Sequence, residues 1–88
     1  MYELCRFFDI TISMFFRDDE KHHKPHFHAV YANCDAAIGI DGELLEGKLP
    51  LKQLKLVWAW AVIHEEELYE AWNNAVRNLP LGKIEPLN

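Results

Sequence analysis

Apolar and polar positions alternate in the first half of the chain, which predicts β-structure there. The clearest stretch has apolar residues at every second position: Ile10, Ile12, Met14 and Phe16. A period of two is typical of a strand with one buried face. Residues 4–8 are also strand-like, and Asp9 marks a bend or bulge between the two segments.

Turn residues divide the next segment into further strands. Residues 26–32 and 35–40 predict two main strands, joined by a tight turn at Asn33-Cys34. The dipeptide Asp41-Gly42 is a strong hairpin signal. It predicts a short additional strand over residues 43–46.

From Pro50 onward the period changes to that of a helix. Pro50 suits the first turn of a helix, and residues 51–78 carry apolar residues at three- and four-residue steps. The stripe consists of Val57, Trp60, Ala61, His64, Leu68, Trp72 and Ala75. A break near His64 would give two consecutive helices, with His64 as the cap of the second.

Strands followed by helices predict an α+β domain. We expect a three- or four-stranded antiparallel meander within residues 1–47. One long helix or two consecutive helices within residues 50–79 would pack on one face, followed by an extended tail over 80–88. At 88 residues the chain predicts a single domain, 1–88. The second sheet face would stay uncovered and is a candidate association surface.

Composition narrows the expected partners and compartment. The net charge is −5 and the nine Lys and Arg are scattered, so nucleic acid is a possible partner but not a favoured one. Cys5 and Cys34 form no CxxC pair and are interpreted as free thiols in a reducing compartment. No signal peptide is evident, and the longest apolar run, 56–63, is too short to span a bilayer. We therefore expect a cytoplasmic protein without membrane association.

Four of the five histidines lie within seven residues: His22, His23, His26 and His28. On a strand, His26 and His28 would share one face, with their Cα atoms roughly 6–7 Å apart. Such a pair can chelate a divalent transition metal such as zinc, which needs one or two further ligands. The candidates for those ligands are His22, His23, Asp18, Asp19, Glu20 and His64.

The same histidine pair could act without a metal. One imidazole would serve as base and the other as acid, with Arg17 or Lys24 stabilising charge on a phosphorane, as in a ribonuclease or a related hydrolase. In the plainer interpretation Phe27 enters the core. His26 and His28 then form hydrogen bonds with nearby backbone or carboxylate groups.

The three tryptophans predict two different roles. Trp60 and Trp72 lie in the helical stripe, so they are expected to fill the core. Trp58 lies off that stripe and is therefore the candidate for exposure and for contact with a partner.

Several segments together resemble one known family. They are residues 12–16, the Pro-His-Phe-His-Ala motif at 25–29, residues 47–50, Trp60 with His64, residues 67–68, Trp72 and residues 83–87. In this order they are similar to the small prokaryotic domain-of-unknown-function family DUF4160. Two positions depart from its pattern, because Asp9 stands where members often have Gly and Lys24 where many have a second Pro.

This resemblance implies a protein partner and does not point to a particular catalytic activity. Members are small bacterial proteins of unassigned function, often encoded beside another small domain in an arrangement similar to toxin–antitoxin operons, and they carry no established catalytic residues. We therefore expect an interaction module that works with a co-encoded protein or as a homodimer, as one component of a toxin–antitoxin-like pair. The alternative is a hydrolase, ribonuclease or metal-binding protein centred on His26 and His28.

Overall fold

A computed structural model describes residues 2–16 and 24–87. Within these ranges it contains five strands and two helices. They are β1 (Tyr2–Phe7), β2 (Ile10–Met14), β3 (His26–Tyr31), β4 (Cys34–Gly39), β5 (Leu44–Gly47), α1 (Leu51–Ile63) and α2 (Glu65–Val76).

The five strands form one sheet in the order β1-β2-β3-β4-β5, and every neighbouring pair is antiparallel. The α+β class and the meander are therefore confirmed, but the sheet has five strands rather than three or four. The additional strand is β1, which pairs with β2 on its own. A two-residue connection makes this possible, since Phe8 and Asp9 both have positive φ, 48° and 63°, as a type I′ hairpin turn requires.

The helical part consists of two consecutive helices that meet at His64. His64 N–H donates to the Trp60 carbonyl at 3.0 Å, and Leu68 N–H donates to the His64 carbonyl at 2.9 Å. His64 itself has φ −109° and ψ 26°, which are not helical values, so the helix is interrupted there. His64 occupies the N-cap position of α2. No helix in the described part of the chain is long and apolar enough to cross a membrane.

Trp60 forms the centre of the core between α1 and the sheet. Its side chain is fully buried, and its ring lies 5.6 Å from that of Phe7 and 5.8 Å from that of Phe27. The Trp60 Nε1–H donates to the Glu85 carbonyl at 2.8 Å. The C-terminal segment is thereby held on the core, and Ile84 N–H donates to a carbonyl of β1 at 3.0 Å.

The sheet face opposite Trp60 is partly buried and partly exposed to solvent. His26 and Phe27 are strand neighbours, so they point to opposite faces, yet both are buried. The ring of Trp72 in α2 lies 4.9 Å from that of His26. This end of the second face is therefore covered around His26, whereas at the other end Val30 and Asp35 are exposed.

Candidate functional site

His26 and His28 lie on the same face of β3, as their spacing predicts. Their ring centroids are 5.2 Å apart. The His28 ring also lies 4.3 Å from that of Phe15, and the His26 ring lies against Trp72. The two imidazoles therefore sit within an aromatic cluster that joins the strand to α2.

A backbone hydrogen bond orients the ring of His26. Its Nδ1 lies 2.8 Å from the carbonyl oxygen of Lys24. A carbonyl can only accept, so Nδ1 carries the hydrogen and donates it, and Nε2 holds the lone pair when the ring is neutral. This is the type of contact that the plainer interpretation of the histidines expects. His26 is also only 1% exposed.

The described residues do not assemble a metal centre around this pair. Among residues 2–16 and 24–87 no group of three or more His, Cys, Asp or Glu side chains is placed to hold a metal ion. Two imidazoles alone do not provide the four ligands of a structural zinc site or the three of a catalytic one. Several predicted site residues lie outside the described residues: Arg17, Asp18, Asp19, Glu20, His22 and His23.

His64, the remaining ligand candidate, is engaged within the helices. Its Nδ1 lies 2.7 Å from Glu67 Oε1, and its ring lies 5.6 Å from that of Trp60. Glu67 stands in the first turn of α2. The side chain of His64 thus connects the junction of the helices to α2 and is not part of the His26 cluster.

Ser13 belongs to the histidine face and was not identified from the sequence. It pairs directly with His28 across β2 and β3. Its side chain is 1% exposed, and Ser13 Oγ has no hydrogen-bond partner within the described chain. Its placement depends on strand register, which the alternation in β2 alone does not specify.

Lys24 is held by two carboxylates at the entry to β3. Its Nζ lies 2.6 Å from Asp41 Oδ2 and also contacts Glu43 Oε1. The hydrogen bond from Lys24, together with one from the Glu43 backbone, lowers the pKa of Asp41. The hydrogen bonds with Asp41 and Glu43 raise the pKa of Lys24. Of the two cations considered for phosphorane stabilisation, Lys24 is thus already paired with carboxylates, and Arg17 lies outside the described residues.

The outward side of α1 forms a second candidate site. Trp58 is 37% exposed, and its Nε1–H donates to the Gly42 carbonyl at 2.9 Å. It borders a shallow, mainly apolar hollow. The residues around this hollow are Ile40, Asp41, Gly42, Trp58, Ala61, Val62 and Glu65.

The apolar surface continues beyond Trp58 along the same helix. Val62 is 76% exposed and Ile63 is 65% exposed. The inward side of α1 is also apolar, with Leu54, Val57, Trp60 and Ala61 buried. In contrast, α2 exposes mainly polar side chains, namely Glu65, Glu66, Glu67, Tyr69, Glu70 and Asn73.

The sequence pattern of DUF4160, a domain of unknown function, matches residues 9–73. The chain belongs to this family. Comparison with curated proteins and with solved structures finds no match. The DUF4160 segment includes the His26–His28 pair, Ser13 and the whole of α1, so both candidate sites lie within it. All of β1 and the C-terminal segment held by Trp60 lie outside it.

Proposed function

We propose that this DUF4160 protein is an interaction module that binds another protein chain through the outward side of α1. The observation that carries the proposal is that the second half of α1, residues 56–63, is apolar on both sides. A helix that is hydrophobic all round is normally buried, yet Val62 and Ile63 are mostly exposed. A partner that covers them would place α1 in the environment that its sequence suits.

Burial of these side chains can supply substantial binding free energy. Complete burial of one Val, Ile or Leu side chain is worth about 1.5–3 kcal/mol relative to exposure. Val62 and Ile63 retain more than half of their exposure. Together with Trp58 they form the kind of aromatic and aliphatic centre that dominates many interfaces.

Trp58 is held in place before any partner arrives. Its indole N–H is bonded to the Gly42 carbonyl, which restricts its rotamers. A side chain fixed in this way loses less conformational entropy on binding. The predicted partner-binding role of Trp58 is therefore part of the proposal.

The alternative of a hydrolase, ribonuclease or metal-binding protein receives less support. A catalytic base must reach a substrate proton, and His26 is almost completely buried. Lys24 is paired with Asp41 and Glu43. The cytoplasmic setting, the single domain over 1–88 and the toxin–antitoxin-like pairing with a co-encoded protein are further parts of the proposal.

Site-specific photocrosslinking in cells of the source organism tests the proposal. We would place p-benzoylphenylalanine at the position of Val62 and, as the matched control, at that of Asp35, which is exposed on the sheet face away from Trp60. A discrete protein adduct from position 62 only is expected, and mass spectrometry identifies it. Absence of any adduct from position 62 in a correctly folded variant would refute the proposal.

A further inference from the structure

Two shallow hollows on the outward side of α1 share Val62 and Glu65 in their walls. One is the hollow beside Trp58, whose charged lining residues are Asp41 and Glu65. The other lies at the start of α2. Its walls consist of Val62, Ile63, His64, Glu65, Glu66 and Glu67. Among the described residues no Lys or Arg lines either hollow, so the charged side chains around this apolar surface are acidic, apart from the titratable His64.

We propose that the partner on α1 is a cationic amphipathic segment of another protein, in which Lys or Arg side chains flank an apolar one. This inference rests on the proposed function and names the chemistry of its partner. The apolar side chain of the segment covers Val62 and Ile63, which are 76% and 65% exposed. The cations lie against the carboxylates of Glu65 and Glu66.

Glu65 and Glu66 are the carboxylates that are open to such a partner. Asp41 is paired with Lys24, and Glu67 is paired with His64. Glu65 and Glu66 are exposed, and neither forms an ion pair with another residue in the described part of the chain. Their position in the first turn of α2 suits the helix dipole, but the dipole gives no reason for the exposed apolar pair beside them.

Trp58 provides a surface for the aliphatic part of a cationic side chain. Its ring is 37% exposed, is held by the bond to the Gly42 carbonyl and lines the same hollow as Glu65. A cation placed over an indole ring is attracted by the ring's quadrupole. The methylene stem of a Lys or Arg can cover apolar surface while its charged head contacts a carboxylate. One hollow therefore offers both kinds of contact to a single cationic side chain.

Charge disfavours the other common occupants of an apolar surface. A nucleic acid or an anionic membrane presents phosphate groups, which carboxylates repel. A second copy packed with its Val62 against this one would bring the glutamates of both chains together, which is unfavourable. The net charge of −5 also favours the approach of a cationic partner at longer range.

A titration with designed peptides, followed by nuclear magnetic resonance, tests the inference. The probe is a short amphipathic helix of Leu and Lys, and its matched control has Glu at every Lys position. The indole N–H signal of Trp58, assigned with Trp58→Phe, reports on the hollow. The Leu/Lys peptide is expected to shift this signal to saturation and to bind at least about tenfold more tightly than the Leu/Glu peptide.

Two double variants separate the local effect from the effect of net charge. E65K/E66K should weaken binding of the Leu/Lys peptide about tenfold or more. Asp35→Lys with Glu70→Lys changes the net charge equally at exposed positions outside both hollows, and it should weaken binding less than about threefold. Circular dichroism verifies folding. If E65K/E66K does not fold, E65Q/E66Q replaces it and should weaken binding about threefold.

Three results would overturn the inference. They are a Leu/Lys peptide that leaves the Trp58 signal unchanged, a Leu/Glu peptide that binds as tightly, and a variant at positions 65 and 66 that binds no more weakly than the control variant. If the Val62 crosslink in cells still joins a protein, the proposed function stands and only the cationic character of the partner fails. An adduct with a second copy of the chain has the same meaning. If Val62 yields no adduct, both fail.

Discussion

Replacing Ser13 with alanine should stabilise the protein. Ser13 is 1% exposed, and its hydroxyl has no hydrogen-bond partner in the described residues. A buried hydroxyl without a partner costs about 1–3 kcal/mol. Alanine keeps the Cβ and removes that cost.

The substitution also removes packing contacts of the hydroxyl, but the stability lost in this way is small. Ser13→Ala deletes a single oxygen atom, whose van der Waals contacts are each worth only about 0.1–0.2 kcal/mol. Several lost contacts amount to less than about 1 kcal/mol. We therefore expect a net increase of about 1 kcal/mol in the free energy of unfolding.

Urea denaturation followed by tryptophan fluorescence measures this change. The midpoint should rise with the m-value unchanged, and the melting temperature should rise by about 4–8 °C per kcal/mol for a chain of this size. Thr11→Ala is the matched control on the same face of β2, since Thr11 is partly exposed and its hydroxyl can be solvated. This control should be neutral or slightly destabilising.

Destabilisation of Ser13→Ala by more than about 1 kcal/mol, with an unchanged m-value, would refute the reasoning. It would show that the hydroxyl is hydrogen-bonded in the folded protein. Since Ser13 pairs with His28 across the strands, a polar network would then exist on the histidine face. The hydrolase alternative would regain support.

Three further predictions follow from single residues. Burial, assisted by a nearby carboxylate, raises the pKa of Cys5 to about 12, so a thiol reagent at pH 8 should leave it unmodified until the protein unfolds. The hydrogen bond from Lys24 lowers the pKa of Asp41 below its ordinary value of 3.8. Their pairing therefore stabilises the fold at pH values above 3.8. The difference in urea midpoint between wild type and Lys24→Met should vanish as the pH falls through the lowered pKa. Gly47 has φ +76° and a Cβ there would lie 2.2 Å from a carbonyl oxygen of β4. Gly47→Ala should therefore cost about 2 kcal/mol or more in chemical denaturation, whereas Gly82→Ala, with open space around it, should be neutral.

The strand periodicity predicted most of the sheet but missed the details of its turns. Phe8 and Asp9 adopt positive φ without a glycine, so the sequence offers no standard signal for the hairpin that makes β1 a separate strand. The next turn lies at Ala32-Asn33 and not at Asn33-Cys34, because Cys34 pairs with Tyr31. In both places tertiary pairing determines the turn more than the residue type does.

The helical pattern correctly predicted which tryptophan side chains are buried and which is exposed. Trp60 and Trp72 are buried and Trp58 is partly exposed, since a period of 3.6 residues distinguishes the two sides of a helix. The same reasoning could not place Ser13 or the contact between His26 and Trp72. Those depend on strand register and on where α2 lies relative to the sheet.

The need for a stable fold does not explain the apolar outward side of α1. Its inward side already supplies the core with fully buried Trp60 and Val57. Polar residues at Val62 and Ile63 would keep the helix and that core, as the outward side of α2 shows with its glutamates. Exposed apolar groups raise the risk of aggregation, and Val62 and Ile63 are therefore the side chains on which the proposed association through α1 depends.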